Sequence, residues 1–309
     1  MLSPKRHPNV KQNLISSALM ARANSLAPWI FLSLLYFSLT ATKAEILVGA
    51  GDIASCDDLS GARATAALLR RIPGTIFALG DLAYTDGSEH DFAECYSPTW
   101  GLFRSRTRPS PGNHEYHTQN AAAYFAYFGA AAGDPRAGYY SYELGTWHVV
   151  VLNSNCEEIG GCDAGSSQER WLRNDLASHP SHCTVAYWHS PLFSSGGTHG
   201  SDSAMKPIWQ ALYDGGATVV MNGHDHDYER FAPQDPNGNA DPVRGIREFV
   251  VGTGGRNLRP FAAPLPNSEV RSREAYGVLK LTLKPGAYEW EFVAEAGKKF
   301  KDAGKEACR

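Results

Sequence analysis

No apolar run in the 309-residue chain is long enough to cross a membrane: the stretch from Trp29 to Ala41 is about 13 residues, against the roughly 20 that a spanning helix needs. A basic excess is also missing. The 29 Lys and Arg face 32 Asp and Glu, for a formal charge of −3, which excludes a general binder of nucleic acid or anionic membrane, since such surfaces attract through an excess of cations. No two cysteines stand at C-x-x-C spacing, so a cysteine-based zinc site is disfavoured. Low-complexity linkers and internal repeats are absent, which leaves one domain as the simplest account.

What is present begins at the N-terminus. Scattered positive residues (Lys5, Arg6, Lys11, Arg22) precede the apolar run, which closes on Thr42-Lys43-Ala44 in the order of a secretory signal peptide. Residues 1–44 are therefore expected to be an export signal, with a retained anchor as the rival reading. Met20, which opens Met-Ala-Arg-Ala-Asn, offers an alternative start at normal spacing from the run. Export would put residues 45–309 in a secreted, periplasmic or extracellular setting, with no stable membrane insertion after cleavage. The six cysteines, all beyond residue 44, are then expected in disulfides. Six cysteines allow 15 pairings. The short Gly-containing loop favours Cys156 with Cys162; Cys56 with Cys95 comes next, and Cys183 with Cys308 follows by elimination.

From Glu45 onward short β-rich apolar runs alternate with helical patterns, which predicts a single α/β domain. Strands are expected over Ile46 to Ala50, Thr75 to Leu79, Trp147 to Leu152, Cys183 to Trp188, Ala217 to Met221 and Glu248 to Val251. Ser60 is placed to cap a helix bearing Ala64, Ala67, Leu68 and Arg71, with Pro73 beyond its end. Ser166 to Glu169 has capping-box spacing ahead of Trp171, Leu172 and Leu176. A third helix is expected from Ser203 to Asp214, stopped by Gly215-Gly216. One hairpin turns at Gly145-Thr146; another, at Lys284-Pro285-Gly286, is expected to close a sheet edge. The Lys-rich tail should be mobile unless Cys308 tethers it. Tyr124, Phe125, Tyr127 and Phe128 fall at helical spacing and read as core.

The strand ends carry the chemistry. In order they read Gly51-Asp52, Gly80-Asp81-Leu82-Ala83-Tyr84, Gly112-Asn113-His114-Glu115, Trp188-His189-Ser190-Pro191 and Gly223-His224-Asp225-His226-Asp227-Tyr228-Glu229-Arg230. Ligands of α/β sheets sit at the carboxyl ends of strands, so residues far apart in sequence can share one site. Asp52, Asp81, Tyr84, Asn113, His189, His224 and His226 offer oxygen and imidazole donors without a thiolate, a set suited to iron, manganese or zinc. Taken singly, each has an ordinary reading: an Asp in a turn, a satisfied core His, a packed Tyr. A carboxylate bridging two cations about 3.5–4 Å apart lets them clamp both oxygens of an in-line displacement, and Asp81, central in the set, is the natural bridge.

As ordered blocks these segments resemble those of the calcineurin-like metallophosphoesterases, and two details point to the purple acid phosphatase branch. Asp52-Ile53-Ala54 lacks the His that the wider superfamily places two residues after its Asp. Gly80-Asp81-Leu82-Ala83-Tyr84 supplies in compensation the Tyr whose phenolate binds trivalent iron in that branch. The block from Gly223 to Arg230 is close to the branch's His-x-His motif. The resemblance, over residues 45–255, implies an α/β fold, a four-layer α-β-β-α sandwich of two mixed sheets with metals at the carboxyl ends of strands. It further implies one metal held by Asp52, Asp81, Tyr84 and His226, and another by Asp81, Asn113, His189 and His224. The implied pair is Fe³⁺ with a divalent ion (Fe²⁺, Zn²⁺ or Mn²⁺), and the implied substrates are small phosphate monoesters, hydrolysed by in-line attack of metal-bound hydroxide. Three anionic ligands leave such a pair net positive, hence attractive to a phosphate dianion.

In that scheme His114 is not a ligand. It contacts the phosphate beside Asn113 or protonates the leaving alkoxide, a role suited to an imidazole with its ordinary pKa near 6.5. His199, in Ser194-Ser195-Gly196-Gly197-Thr198-His199, stands where the family has its own Asn- and His-bearing loop and is a further candidate for substrate contact. Glu115, Asp225 and Arg230 read as residues that orient the ligands and close the loop. The Gly252-Thr253-Gly254-Gly255 run reads as a tight turn packed near the site, with a phosphate cradle as the rival. Plant and fungal members carry an extra N-terminal β-sandwich for which the stretch after Ala44 leaves no room, so a catalytic-domain-only form is expected. The rival activities are a phosphodiesterase or nucleotide-specific hydrolase on the same site, and a non-catalytic extracellular metal-binding module. Retention of every ligand and His114 speaks against the last.

Overall fold

Runs rich in Val, Ile and aromatic residues, too short for helices and bounded by Gly and polar residues, become strands. The computed structural model describes residues 43–309 except residue 182; the expected export signal and the Met20 start lie outside them. The first sheet is mixed, in the order β15 (Ala303–Ala307), β14 (Ala287–Ala294), β13 (Gly277–Lys284), β1 (Glu45–Ala50), β3 (Thr75–Leu79), β5 (Thr107–Ser110). Its strands β1, β3 and β5 run parallel. The second runs β12 (Ser268–Ser272), β10 (Tyr228–Phe231), β11 (Arg247–Val251), β9 (Val219–Asn222), β8 (Thr184–Tyr187), β7 (Trp147–Val151), β6 (Tyr140–Leu144), with a parallel centre from β11 to β7. A two-residue parallel pair, β2 (Ala54–Ser55) with β4 (Ala83–Tyr84), joins the loops that leave β1 and β3.

Strand periodicity divides the interior. Val149, Val185, Val219 and Phe249 join Leu47, Phe77 and Leu279 of the first sheet in one core, while Val150, Ala186 and Val220 turn to a second core. That second core is closed by α4 (Ser167–Ser178) and α5 (Lys206–Asp214) through Leu172, Ile208, Trp209 and Leu212. The first sheet is covered by α1 (Ser60–Leu69), followed by the short α2 (Glu89–Asp91) and the aromatic α3 (Ala122–Phe128). The expected α/β architecture of helices outside two mixed sheets is thus present, and every expected strand forms with ends shifted by up to two residues.

Four local expectations change. Ser60 is the first helical residue rather than the cap, and its N–H donates to Asp58 Oδ1 at 2.8 Å. Helix α1 buries Gly61, Ala62, Thr65, Ala66 and Leu69 instead of the face through Ala67 and Arg71. The reason is close approach: a Cβ on Gly61 would lie 2.4 Å from the Gly255 carbonyl oxygen, so the small-residue face is the one that fits. Ser166 caps α4, accepting from Glu169 N at 3.3 Å, but the Glu169 carboxylate accepts from Gly165 N at 3.0 Å, leaving the box one residue out of register. The hairpin of β13 and β14 lies inside its sheet, because the tail forms β15 and takes the edge. Cys308 is bonded to Cys183 of the segment leading into β8, which ties the tail across both sheets. Cys56–Cys95 and Cys156–Cys162 complete the expected disulfides.

A buried charge cluster sits away from the strand ends. His148 of β7, 1% exposed, sets Nε2 against Asp175 Oδ2 of α4 and Nδ1 against Glu143 Oε1 of β6, both at 2.7 Å. His179 stacks on its ring at 4.7 Å, and Ser141 donates to Asp175. Two ring nitrogens facing carboxylate oxygens must both carry protons, so His148 is an imidazolium. Burial alone would lower its pKa; the bonds to Asp175 and Glu143 override this and raise it. Burial would raise that of Asp175, and the His148 contact lowers it. The His148 contribution is complete below the unfolded imidazole value and fades as pH rises through the raised one; the Asp175 contribution fades as pH falls through its depressed one. His148→Gln is therefore expected to lower Tm more at about pH 5.5 than at about pH 9. A deficit that stays constant toward alkaline pH would show a neutral ring instead.

Candidate metal centre

Strands β1, β3 and β9 each run into a glycine followed by a polar residue, and the chain reverses there. Asp52, Asp81 and His224 take φ of 59°, 52° and 73°, a left-handed region that non-glycine residues seldom occupy and that costs of order 1–3 kcal/mol at each such position. The loops interlock: Asp52 N donates to the Gly80 carbonyl at 3.1 Å, and His224 N to Asp52 Oδ2 at 2.9 Å. Gly223 is required by this packing, since a Cβ there would lie 2.7 Å from Asp52 Oδ2.

All seven residues singled out in the strand-end blocks come together here. Asp52, Asp81, Tyr84, His189 and His226 are buried; Asn113 and His224 are half-buried. They form two groups. In one, the Tyr84 hydroxyl lies 2.9 Å from Asp52 Oδ1, 3.1 Å from Asp81 Oδ2 and 3.3 Å from His226 Nε2. In the other, His189 Nε2 lies 3.0 Å from His224 Nδ1, 3.2 Å from Asn113 Oδ1 and 3.3 Å from Asp81 Oδ2. Asp81 belongs to both. The parallel register of β2 on β4, Ser55 opposite Tyr84, carries the phenol to Asp52.

The donor set fits cations. His189 Nδ1 donates to the Leu79 carbonyl and His226 Nδ1 to that of Asn257, at 2.7 and 2.9 Å. Both rings thus hold their Nε2 lone pairs inward. Burial alone would lower His189, but Asp81 drives it up to about 10; burial and the His189 charge push His224 down to about 3. The facing nitrogens therefore share one proton, and a cation between them satisfies both lone pairs without it. Burial, reinforced by Asp52 and Asp81, holds the Tyr84 phenol far above its ordinary range, so a phenolate there requires a bound cation.

The flanking residues fall into place around this centre. Glu115 is buried and accepts from the N–H groups of Asp81, Leu82 and Gly112 at 2.7–2.9 Å, which fixes the Asp81 turn. Burial, with Asp81 adding, raises its carboxyl to about 7. His114 N donates to Asp81 Oδ1 at 2.9 Å, Nδ1 meets the Thr85 carbonyl, and Nε2 lies 3.7 Å from Asp81 Oδ2. Asp225 holds the loop of His199, accepting from Ser194 Oγ (2.5 Å), Gly200 N (2.9 Å) and His199 N (3.2 Å). Exposed His199 stacks on His224 at 4.1 Å. Arg230 points elsewhere, to Asp302 and Glu269, and braces the tail. The Gly252–Gly255 run packs against this machinery, Gly254 N donating to the Gly51 carbonyl at 2.8 Å.

Two residues at the centre escaped the sequence reading. Arg256 lies over the Tyr84 ring, 4.9 Å from its centre, and Arg259 donates to His199 Nε2. Their signal was slight: two arginines three apart, just past a glycine run at a strand end.

Residues 47–228 match the family described as Calcineurin-like phosphoesterase. The chain is 31% identical over 224 residues to Purple acid phosphatase 15 of Arabidopsis thaliana, covering 61% of this chain and 41% of that protein. With Purple acid phosphatase 21 of the same plant it shares 30% over 242 residues, covering 69% and 52%. It thus spans about half the length of these curated relatives. Among solved structures, the purple acid phosphatase PPD1 of yellow lupin seeds shares its fold, with a TM-score of 0.70 at 17% identity over 86% of this chain and 54% of that one. Two donor groups sharing a carboxylate at the carboxyl ends of strands and a family match across more than half the chain lead to one conclusion: the protein belongs to the calcineurin-like phosphoesterases and is similar to the purple acid phosphatases.

Proposed function

We propose that the protein is an exported phosphomonoesterase whose two metal ions are bound by Asp52, Asp81, Tyr84 and His226, and by Asp81, Asn113, His189 and His224. The observation that carries this reading is the sharing of Asp81 between two donor groups whose imidazole lone pairs face inward. When bound, such ions neutralise charge on the phosphoryl group and acidify water enough to act as nucleophile near neutral pH. The chain's own residues do the rest. Glu115 and the backbone turns hold the carboxylates, Asn113 and His114 orient the phosphate, and His114 delivers a proton to the departing oxygen. Its Nδ1 is held by the Thr85 carbonyl, which leaves Nε2 free for that purpose. Three disulfides in a single chain suit an oxidising compartment. Among the described residues no helix is long and apolar enough to cross a membrane.

The test joins metal analysis, a visible spectrum and hydrolysis of an aryl phosphate. Two metals per chain, one of them Fe³⁺, with a phenolate-to-iron band that disappears in Tyr84→Phe, is the expected result. An active, colourless protein holding only zinc or manganese would remove Tyr84 and iron from the assignment, and an inactive metal-loaded protein would overturn the activity.

A further inference from the structure

Arg256 and Arg259 are each tied to the centre twice. The Arg256 N–H donates to the Asp52 carbonyl at 2.8 Å, and its guanidinium covers the Tyr84 ring and donates to Ser55 Oγ at 2.5 Å. The Arg259 N–H donates to the His226 carbonyl at 2.9 Å, and its Nη1 to His199 Nε2 at 2.5 Å. The two loops also pin each other, Gly197 N to the Pro260 carbonyl at 2.9 Å and Ala262 N to the Ser195 carbonyl at 2.8 Å. Arg259 differs in its company from the arginines that are held in carboxylate pairs. Arg173, Arg230 and Arg247 each face two carboxylates, whereas the Arg259 contact is an imidazole nitrogen that neutralises nothing. A guanidinium has five donors in a planar fork, so its charge and most of its donors stay available to an anion.

The surface on the Asn113 side of the centre has the opposite sign. A groove of 440 Å³ opens at Asn113 and is lined by Glu157, Glu158 and Asp202. Glu157 and Glu158 belong to the loop closed by Cys156–Cys162, which keeps them at the wall. The alcohol part of an ester bound at the metal centre meets a basic surface on the Arg259 side and an acidic one on the Glu157 and Glu158 side, so charge on that part favours one over the other.

We propose that Arg259, backed by Arg256, is a specificity determinant that reads a second anionic group, so that preferred substrates are phosphate monoesters whose alcohol part carries a carboxylate or another phosphate. This rests on the phosphomonoesterase reading above. Three primary-alcohol esters test it on the metal-loaded full chain: 3-phosphoglycerate, glycerol 3-phosphate and phosphoethanolamine, with anionic, neutral and cationic alcohol parts. The expected kcat/KM order is the one just given, with about tenfold between the first two, expressed mainly in KM, as one charge-assisted contact supplies. Arg259→Gln should level the first two, Arg259→Lys should keep part of the gap, and raising salt from about 0.05 to 0.5 M should narrow it in the unaltered protein. Hydrolysis of all three without a charge preference, or a preference that survives Arg259→Gln, overturns the inference and leaves the phosphomonoesterase reading standing. Hydrolysis of none overturns both.

Discussion

Asp81→Asn should lower hydrolysis of an aryl phosphate by on the order of 10³-fold or more, the scale of removing a preorganised charge-stabilising group, and should reduce bound metal from two ions toward one. The substitution isolates charge from backbone. Asp81 sits at φ 52°, a conformation that Asn tolerates as well as Asp, and its N–H bond to Glu115 at 2.9 Å does not involve the side chain. What changes is one carboxylate oxygen, at the only position shared by the two donor groups. The neutral amide cannot bridge two cations, and its NH₂ would face either Tyr84 or His189. Metal content by mass spectrometry, together with a native circular dichroism spectrum in metal-free buffer, checks the prediction; the metal-free melting temperature should fall, because Asp81 also pairs with His189 at 3.3 Å. Full activity with two metals bound would show that Asp81 does not bridge.

His114→Ala should cost about 10²–10⁴-fold in kcat for an alkyl phosphate, the usual range for a general acid, and far less for 4-nitrophenyl phosphate, whose departing oxygen needs no proton. The ring is placed for this by contacts that are local and different in kind. Its N–H binds Asp81 Oδ1, its Nδ1 meets the Thr85 carbonyl, and its face packs 4.5 Å from the Tyr84 ring. Nε2 is the one polar atom left for the cleft. The leaving-group comparison separates two roles that the geometry allows. Equal losses on alkyl and aryl esters would mean that His114 binds phosphate without protonating the alcohol.

Much of this site was legible before any coordinates, for a physical reason. A metal-binding donor set demands particular atoms, and the α/β sheet delivers them at strand ends, so Asp52, Asp81, Asn113 and His224 each follow directly on a glycine, His189 follows the apolar end of β8, and His226 stands two residues beyond His224. The cysteine pairs were legible for a weaker reason, short separation in one case and elimination in another. Less was visible wherever a residue acts through distant packing. The face that α1 buries depends on how closely it meets Gly255, which its own periodicity does not express. The His148 cluster joins β6, β7 and α4 through residues spread from Glu143 to His179, each ordinary alone.

The central strands, the two hairpins, the donor atoms and the export-like N-terminal pattern were determined by the sequence itself, because hydrophobic period, turn residues and ligand chemistry are local properties; β5, β10, β12 and β15 were not. Tertiary structure alone decided that the tail is an edge strand rather than a loose end, since Ala303–Ala307 carries no apolar strand pattern of its own and takes that form by pairing with β14. It alone decided as well that Arg256 and Arg259 stand at the candidate metal centre, where their main-chain bonds to Asp52 and His226 set them. A guanidinium on a loop has no periodic signature; its meaning comes from what lies within a few ångströms, and only the fold brings those groups near.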